Sequence, residues 1–235
     1  MALPKLNDKP KYELVIPSTQ QKVRFRPYLV REEKVLMMAM ESEDQTQMFE
    51  AIADTIEACV DDEINKTALT SFDVEYMFVK IRSKSVGENI KLTPKCGECE
   101  AENEVEIPLD DITITLPVTD LMIKLTDDIS IKMKYPSYVE ILDKEILNAE
   151  SATKQTFGMI LKCIESVMTE DENMMFKEET NKSQMDFIES LSSTQFDEIR
   201  KFIEGIPQVS YDASYECVGC KHNNEVMLRG MNDFF

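Results

Sequence analysis

Apolar and polar residues alternate in Tyr12-Glu-Leu-Val-Ile and again in Lys22-Val-Arg-Phe-Arg, with the turn-forming Pro17-Ser-Thr-Gln-Gln between them. This period-two pattern predicts an N-terminal β-hairpin. The period then lengthens. A helix is expected over residues 31–41, and a second carries Phe49, Ile52, Ala53, Ile56, Cys59 and Val60 on one face at i, i+3, i+4 spacing. After a polar stretch, Thr70-Ser-Phe-Asp reads as a capping box that opens a third helix to about residue 83, and Gly87 stands where a C-terminal cap belongs.

Beyond residue 88 the pattern returns to period two. Strands are expected around Ile90-Lys-Leu-Thr, Glu104-Val-Glu-Ile, Ile112-Thr-Ile-Thr-Leu and Ile129-Ser-Ile-Lys-Met, and a helix over 139–147 after Tyr135-Pro136. Phe157, Ile160, Leu161, Ile164, Val167 and Met168 mark an amphipathic helix, and the acidic Thr169-Glu-Asp-Glu-Asn reads as a linker. Residues 186–191 precede a last helix with Phe196, Ile199, Phe202 and Ile203 on one side, started by Thr194-x-x-Asp197 and stopped by Gly205 and Pro207. Strands at 209–215 and 225–228 close the chain. The organisation expected is 1–87, hairpin and helices; 88–134, β-rich; 135–206, helical; and 207–235, packing back on 88–109.

Composition shifts this picture toward helix. Fifteen Met, no Trp and only six Gly among 235 residues suit helical packing better than a many-turned sandwich, so a predominantly helical α+β fold is expected. The net charge of −19 repels nucleic acid and anionic membrane, and neither is expected as a partner. The longest apolar run, 35–40, is far below the roughly 18 residues of a membrane span, and the start lacks a secretory signal, so a cytosolic protein is expected. The sequons at Asn65 and Asn181 then carry no meaning. Residues 1–34 stand apart, with eight basic and four acidic side chains. This is either a solvated face or a contact patch for an acidic partner.

The chemistry lies in the cysteines. Cys96-x2-Cys99-x4-Glu104-Val105-x-Ile107 and Cys217-x2-Cys220-x4-Glu225-Val226-x-Leu228 share one strand–turn–strand pattern, each preceded by a helix headed by Phe-Asp at Phe72-Asp73 and Phe196-Asp197. One unit used twice is the natural reading. Each turn presents two thiols, with Gly97 and Gly219 letting backbone N–H groups face sulfur, and two turns together supply the four sulfurs that structural zinc prefers. A zinc ribbon separates its turns by about 15 to 20 residues. Here Cys99 and Cys217 are 118 positions apart, so a discontinuous zinc-ribbon-like element is expected, with Cys96, Cys99, Cys217 and Cys220 holding Zn2+. Metal-free packing turns, a redox dithiol and an iron–sulfur site are the alternatives. The redox reading is weakened because strands follow the turns and Glu98, Glu100 and Glu102 crowd the first.

Cys59 and Cys163 read as core thiols, and His222, the single histidine, as a surface residue. One histidine, no G-x-S-x-G, no phosphate loop and no G-x-G-x-x-G leave no recognisable catalytic constellation, and an enzyme is not expected.

Met1-Ala-Leu-Pro-Lys-Leu, Tyr12-Glu-Leu-Val-Ile-Pro-Ser, Arg24-Phe-Arg-Pro-Tyr-Leu-Val-Arg-Glu-Glu-Lys, Ile81-Arg-Ser-Lys-Ser-Val-Gly and Met133-Lys-Tyr-Pro resemble the baseplate hub proteins of T4-type contractile-tailed bacteriophages. The resemblance runs through both cysteine turns and is most specific in the first 100 residues. It implies a non-enzymatic part in building the central hub, as an assembly factor or minor hub subunit. Other hub proteins would be the partners, and the location would be the host cytoplasm during assembly or the finished baseplate. The alternative is a zinc-ribbon regulatory adaptor for a transcription or replication protein. Lys22, Arg24, Arg26 and Arg31 are the best contact candidates for such a partner.

Overall fold

A computed structural model describes residues 9–42, 44–114, 120–147 and 151–230. The chain divides into two compact units, Met1–Leu116 with Gln208–Phe235, and Pro117–Pro207.

The first unit begins with the hairpin, β1 (Tyr12–Val15) and β2 (Lys22–Phe25), paired Leu14 to Val23 and Tyr12 to Phe25. Leu14, Ile16, Val23 and Phe25 are all buried, as the alternation requires. Three helices follow: α1 (Val30–Glu41), α2 (Gln45–Cys59) and α3 (Ser71–Ser85). Helix α3 is buried nearly all round, through Phe72, Val74, Met77, Phe78, Val79 and Ile81, each worth about 1.5–3 kcal/mol of burial for the larger side chains. Its capping box forms as the sequence indicates, and Asp73 does more than cap. The Asp73 carboxylate is fully buried and accepts from Thr70 N–H and Oγ1 and, across 55 positions, from Ser18 N–H at 2.9 Å and Ser18 Oγ at 2.6 Å. It ties the hairpin turn to the central helix.

The remaining strands of this unit are β3 (Asn89–Leu92) paired with β4 (Val105–Pro108), then β5 (Thr113–Ile114). Residues 115 and 116 of the expected strand lie outside the described residues. A core of Val79, Ile90, Ile107, Leu109, Ile112, Val209, Ala213 and Leu228 joins these strands to the end of the chain.

The second unit contains β6 (Met122–Lys124) and β7 (Ser130–Met133), the short helices α4 (Tyr138–Ile141) and α5 (Lys144–Leu147), and α6 (Ala152–Cys163). Then come β8 (Ile164–Met168), β9 (Asn173–Met175), α7 (Asn181–Glu189) and α8 (Ser193–Glu204). The strands form one antiparallel sheet ordered β6-β7-β8-β9. Its core gathers Ile131, Met133, Ile160, Cys163, Ile164, Val167, Phe176, Ile188 and Ile199. Phe157 against Phe196 and Tyr135 against Phe202 add ring contacts at 5.5 and 5.3 Å. The chain then returns to the first unit through β10 (Val209–Glu216) and β11 (Asn223–Arg229), in a sheet ordered β11-β10-β5.

The fold is therefore mixed α+β and not predominantly helical. Of the described residues 43% are helical and 25% extended, and the eleven strands lie in four sheets. The scarcity of glycine misleads because the left-handed turn positions are filled by Gln20, Glu100 and Lys221, at φ of 58°, 57° and 62°. The expected helix through Met168 ends at Cys163, and the following residues pair with β7 and β9. Ile164 and Val167 fit an i, i+3 face and a strand equally well, and two flanking strands decide. No discrete zinc ribbon forms either, because the strands around the two turns belong to separate sheets, β3-β4 and β11-β10-β5.

The duplicated unit also stops at the strands. In α3 the Phe-Asp pair sits inside the capping box, whereas α8 is capped by Ser192 with Gln195, so Phe196-Asp197 falls later along its helix. That helix also belongs to the other unit.

Candidate metal centre

The turn at Cys96 joins β3 to β4, and the turn at Cys217 joins β10 to β11. Both follow one hydrogen-bonding scheme. Cys96 N–H donates to Ala101 O and Glu100 N–H to Cys96 O; Cys217 N–H donates to His222 O and Lys221 N–H to Cys217 O. Glu100 and Lys221, each one residue past the second cysteine, adopt the left-handed conformation that reverses the chain. The bridge Lys95 to Glu102 and the pair Glu216 to Asn223 occupy equivalent places. The two turns are thus local copies of one structure.

They face each other. The Sγ atoms of Cys96 and Cys220 are 3.6 Å apart, as are those of Cys99 and Cys217, and all four lie within 4.8 Å of one another. A disulfide needs about 2.05 Å, and all four thiols are free. Sulfurs at the corners of a tetrahedron around an ion with metal–sulfur bonds of about 2.3 Å would sit about 3.8 Å apart. The arrangement is spaced for coordination.

Its electrostatics agree. The backbone N–H groups of Cys99 and Glu98, against the opposing effect of burial and with help from the Asn224 amide, pull the Cys96 thiol down to about 6. The Cys220 N–H, opposed by burial and joined by Gly219 N–H at 3.4 Å, lowers Cys217. Cys220 goes the other way. The His222 backbone favours its thiolate, but Cys99, burial, Cys96 and Cys217 outweigh it and push the thiol to about 12. Four sulfurs this close cannot all carry charge unaided, and a divalent cation removes the conflict by neutralising them together.

Two side chains that the sequence reading passed over complete the site. Asn103 and Asn224 stand four residues past the second cysteine of each turn and are 3% and 9% exposed. Asn103 Oδ1 accepts Val218 N–H at 2.9 Å and Asn224 Oδ1 accepts Gly97 N–H at 3.0 Å, each reaching the opposite turn. The signal was legible, since both segments read Cys-x2-Cys-x3-Asn-Glu-Val. An asparagine in a polar stretch has nothing in its local sequence to mark it as buried.

Cys59 and Cys163 lie in the core, with burial pushing their thiols up to about 11 and about 12. His222 is exposed and outside the cluster. The four basic candidates are each engaged within the chain. Lys22 pairs with Glu13, Arg24 lies 3.7 Å from Asp62, and Arg31 and Arg26 converge on Glu32 at 2.6 and 3.0 Å. Arg26, at 14% side-chain exposure, also donates to Ala58 O.

A family model described as T4 bacteriophage base plate protein matches residues 9–235, nearly the whole chain and both turns. The chain belongs to the T4 bacteriophage base plate protein family. No curated protein and no solved structure matches it. Among the described residues of this baseplate protein no helix is long and apolar enough to cross a membrane.

Proposed function

We propose that this baseplate protein acts without catalysis in assembling the central hub of the phage tail, as an assembly factor or minor hub subunit, through contacts with other hub proteins. The observation that carries this reading is the family match over residues 9–235. The surface supports it. Val30, Val35, Met37, Met38 and Met40 of α1 leave large apolar area in water, with Met38 60% exposed, and flexible methionine suits adaptable protein contact. The four clustered cysteines hold a structural Zn2+, the soft-ligand, tetrahedral choice for an all-sulfur set. The metal joins chain segments 118 positions apart and stiffens the scaffold that carries the docking surface.

Affinity capture of the tagged protein from infected cells, with mass spectrometry of both the captured material and finished virions, tests this. Recovery of hub proteins supports the reading. Recovery of a polymerase or replication protein in their place would reject it in favour of a regulatory adaptor.

A further inference from the structure

The facing turns are held together by more than their sulfurs, and the arrangement is close to two-fold symmetric. Each asparagine lies on its own turn and binds the other. Asn103 Oδ1 receives the N–H of Val218, the residue after Cys217, and Asn224 Oδ1 receives the N–H of Gly97, the residue after Cys96. Each Nδ2 donates inward to the carbonyl two residues back, Ala101 at 2.7 Å and His222 at 3.1 Å. Those same carbonyls accept the N–H of Cys96 and Cys217. Every polar atom of the two buried amides is used, so neither pays the penalty of an unpartnered buried group.

The symmetry breaks at one point. Asn224 Nδ2 also lies 3.5 Å from Cys96 Sγ, whereas among the described residues Asn103 Nδ2 donates only to the backbone carbonyl of Ala101. The approach does not depend on glycine at position 97, where a Cβ would sit 3.8 Å from Asn224 Oδ1, an ordinary contact that leaves the amide its place.

We propose that Asn103 and Asn224 form a reciprocal clasp that docks the two turns and so presents four sulfurs to one soft divalent cation, with Asn224 additionally tuning the Cys96 sulfur. This rests on the metal-binding reading above. Both are positioning residues, since neither offers an atom to the ion. Their removal leaves all four ligands in place but frees the turns to separate, and loss of such supporting hydrogen bonds typically weakens metal affinity by about 10–100-fold.

The test is cobalt(II) titration of the purified full-length protein, read by the visible bands of tetrahedral cobalt and by the sulfur-to-metal charge-transfer band, with chelator competition for affinity. Asn103→Ala and Asn224→Ala are each expected to weaken binding by about 10–100-fold, while exposed Asn223→Ala leaves it unchanged. Only Asn224→Ala is expected to shift the charge-transfer band, a change that general destabilisation would not produce. Should an alanine variant fail to fold, Asn224→Asp keeps the acceptor for Gly97 and loses the donor to Cys96, so it is expected to bind cobalt with a shifted band. Native affinity in both alanine variants would overturn the clasp while leaving the metal site standing. An unshifted band in Asn224→Asp would remove the tuning role. Failure of the native protein to bind cobalt at all would overturn the site and the clasp together.

Discussion

The two units use the same residue type in opposite ways. In the second unit Cys163 sits among Ile160, Ile164 and Phe176, fully buried in an apolar core, with its thiol kept neutral. In the first, Cys96 and Cys217 are just as inaccessible, yet backbone N–H groups point at their sulfurs and stabilise charge. Burial does not distinguish a packing thiol from a ligand; what surrounds the sulfur does. The units also differ in how they close. The second is one contiguous stretch held by a four-stranded sheet and ring contacts, whereas the first must bring residues 208–235 back to a body formed by the first 116. A discontinuous unit gains most from a cross-link between its parts.

The largest expected effect follows from cutting the proposed metal cross-link. Cys217→Ser should abolish stoichiometric metal and loosen the first unit, with hydrogen exchange rising around β10 and β11 while β7 and β8 stay protected. Structural zinc can contribute on the order of 10 kcal/mol in small modules. Even a loss of about 3 kcal/mol would lower Tm by roughly 6–12 °C in a chain of this size. Retained metal in this variant would contradict the shared site.

Asp73→Ala should come next, at about 3–4 kcal/mol in chemical denaturation, because it strands the Ser18 and Thr70 donors and unties the hairpin from α3. An effect under 1 kcal/mol would show that the hairpin is held by its apolar side chains alone.

Glu32 makes the first unit sensitive to acid. Its burial opposes ionisation, but Arg31, the Leu29 N–H and Arg26 overcome this and hold the carboxyl at about 2 against an ordinary 4.5. A depressed carboxylate contributes stability that is present above its unfolded pKa and fades as pH falls toward the folded one. The first unit should therefore weaken between about pH 4.5 and 2, and Glu32→Gln should remove about 2–3 kcal/mol at neutral pH and flatten that acid limb. An unchanged acid limb would assign it to other carboxylates.

Cys163→Ala should have the smallest effect, about 1–2 kcal/mol from a small cavity, with metal content untouched. Any loss of metal would mean that the thiols are not divided as described.

Local rules carried far in this sequence. The hairpin alternation, the Thr70 and Asp73 box and the paired cysteine turns each specify their geometry within a few residues, and all appear where the pattern puts them. What the sequence hid depends on distant partners. Residues 164–168 are strand only because β7 and β9 flank them. The turns meet without sharing a sheet, although Cys99 and Cys217 are 118 positions apart. Asn103 and Asn224 gain their roles only once the opposite turn is in place. The basic candidates, separate in sequence, prove to be bound to Glu13, Asp62 and Glu32.

Cys96, Cys99, Cys217 and Cys220 are proposed to hold one ion between them. Metal analysis with X-ray absorption on the purified protein tests this directly. One zinc per chain, with four sulfur neighbours at about 2.3 Å, is the predicted result. Metal-free protein with four titratable thiols in the turns, or an ion with nitrogen or oxygen in its first shell, would contradict it.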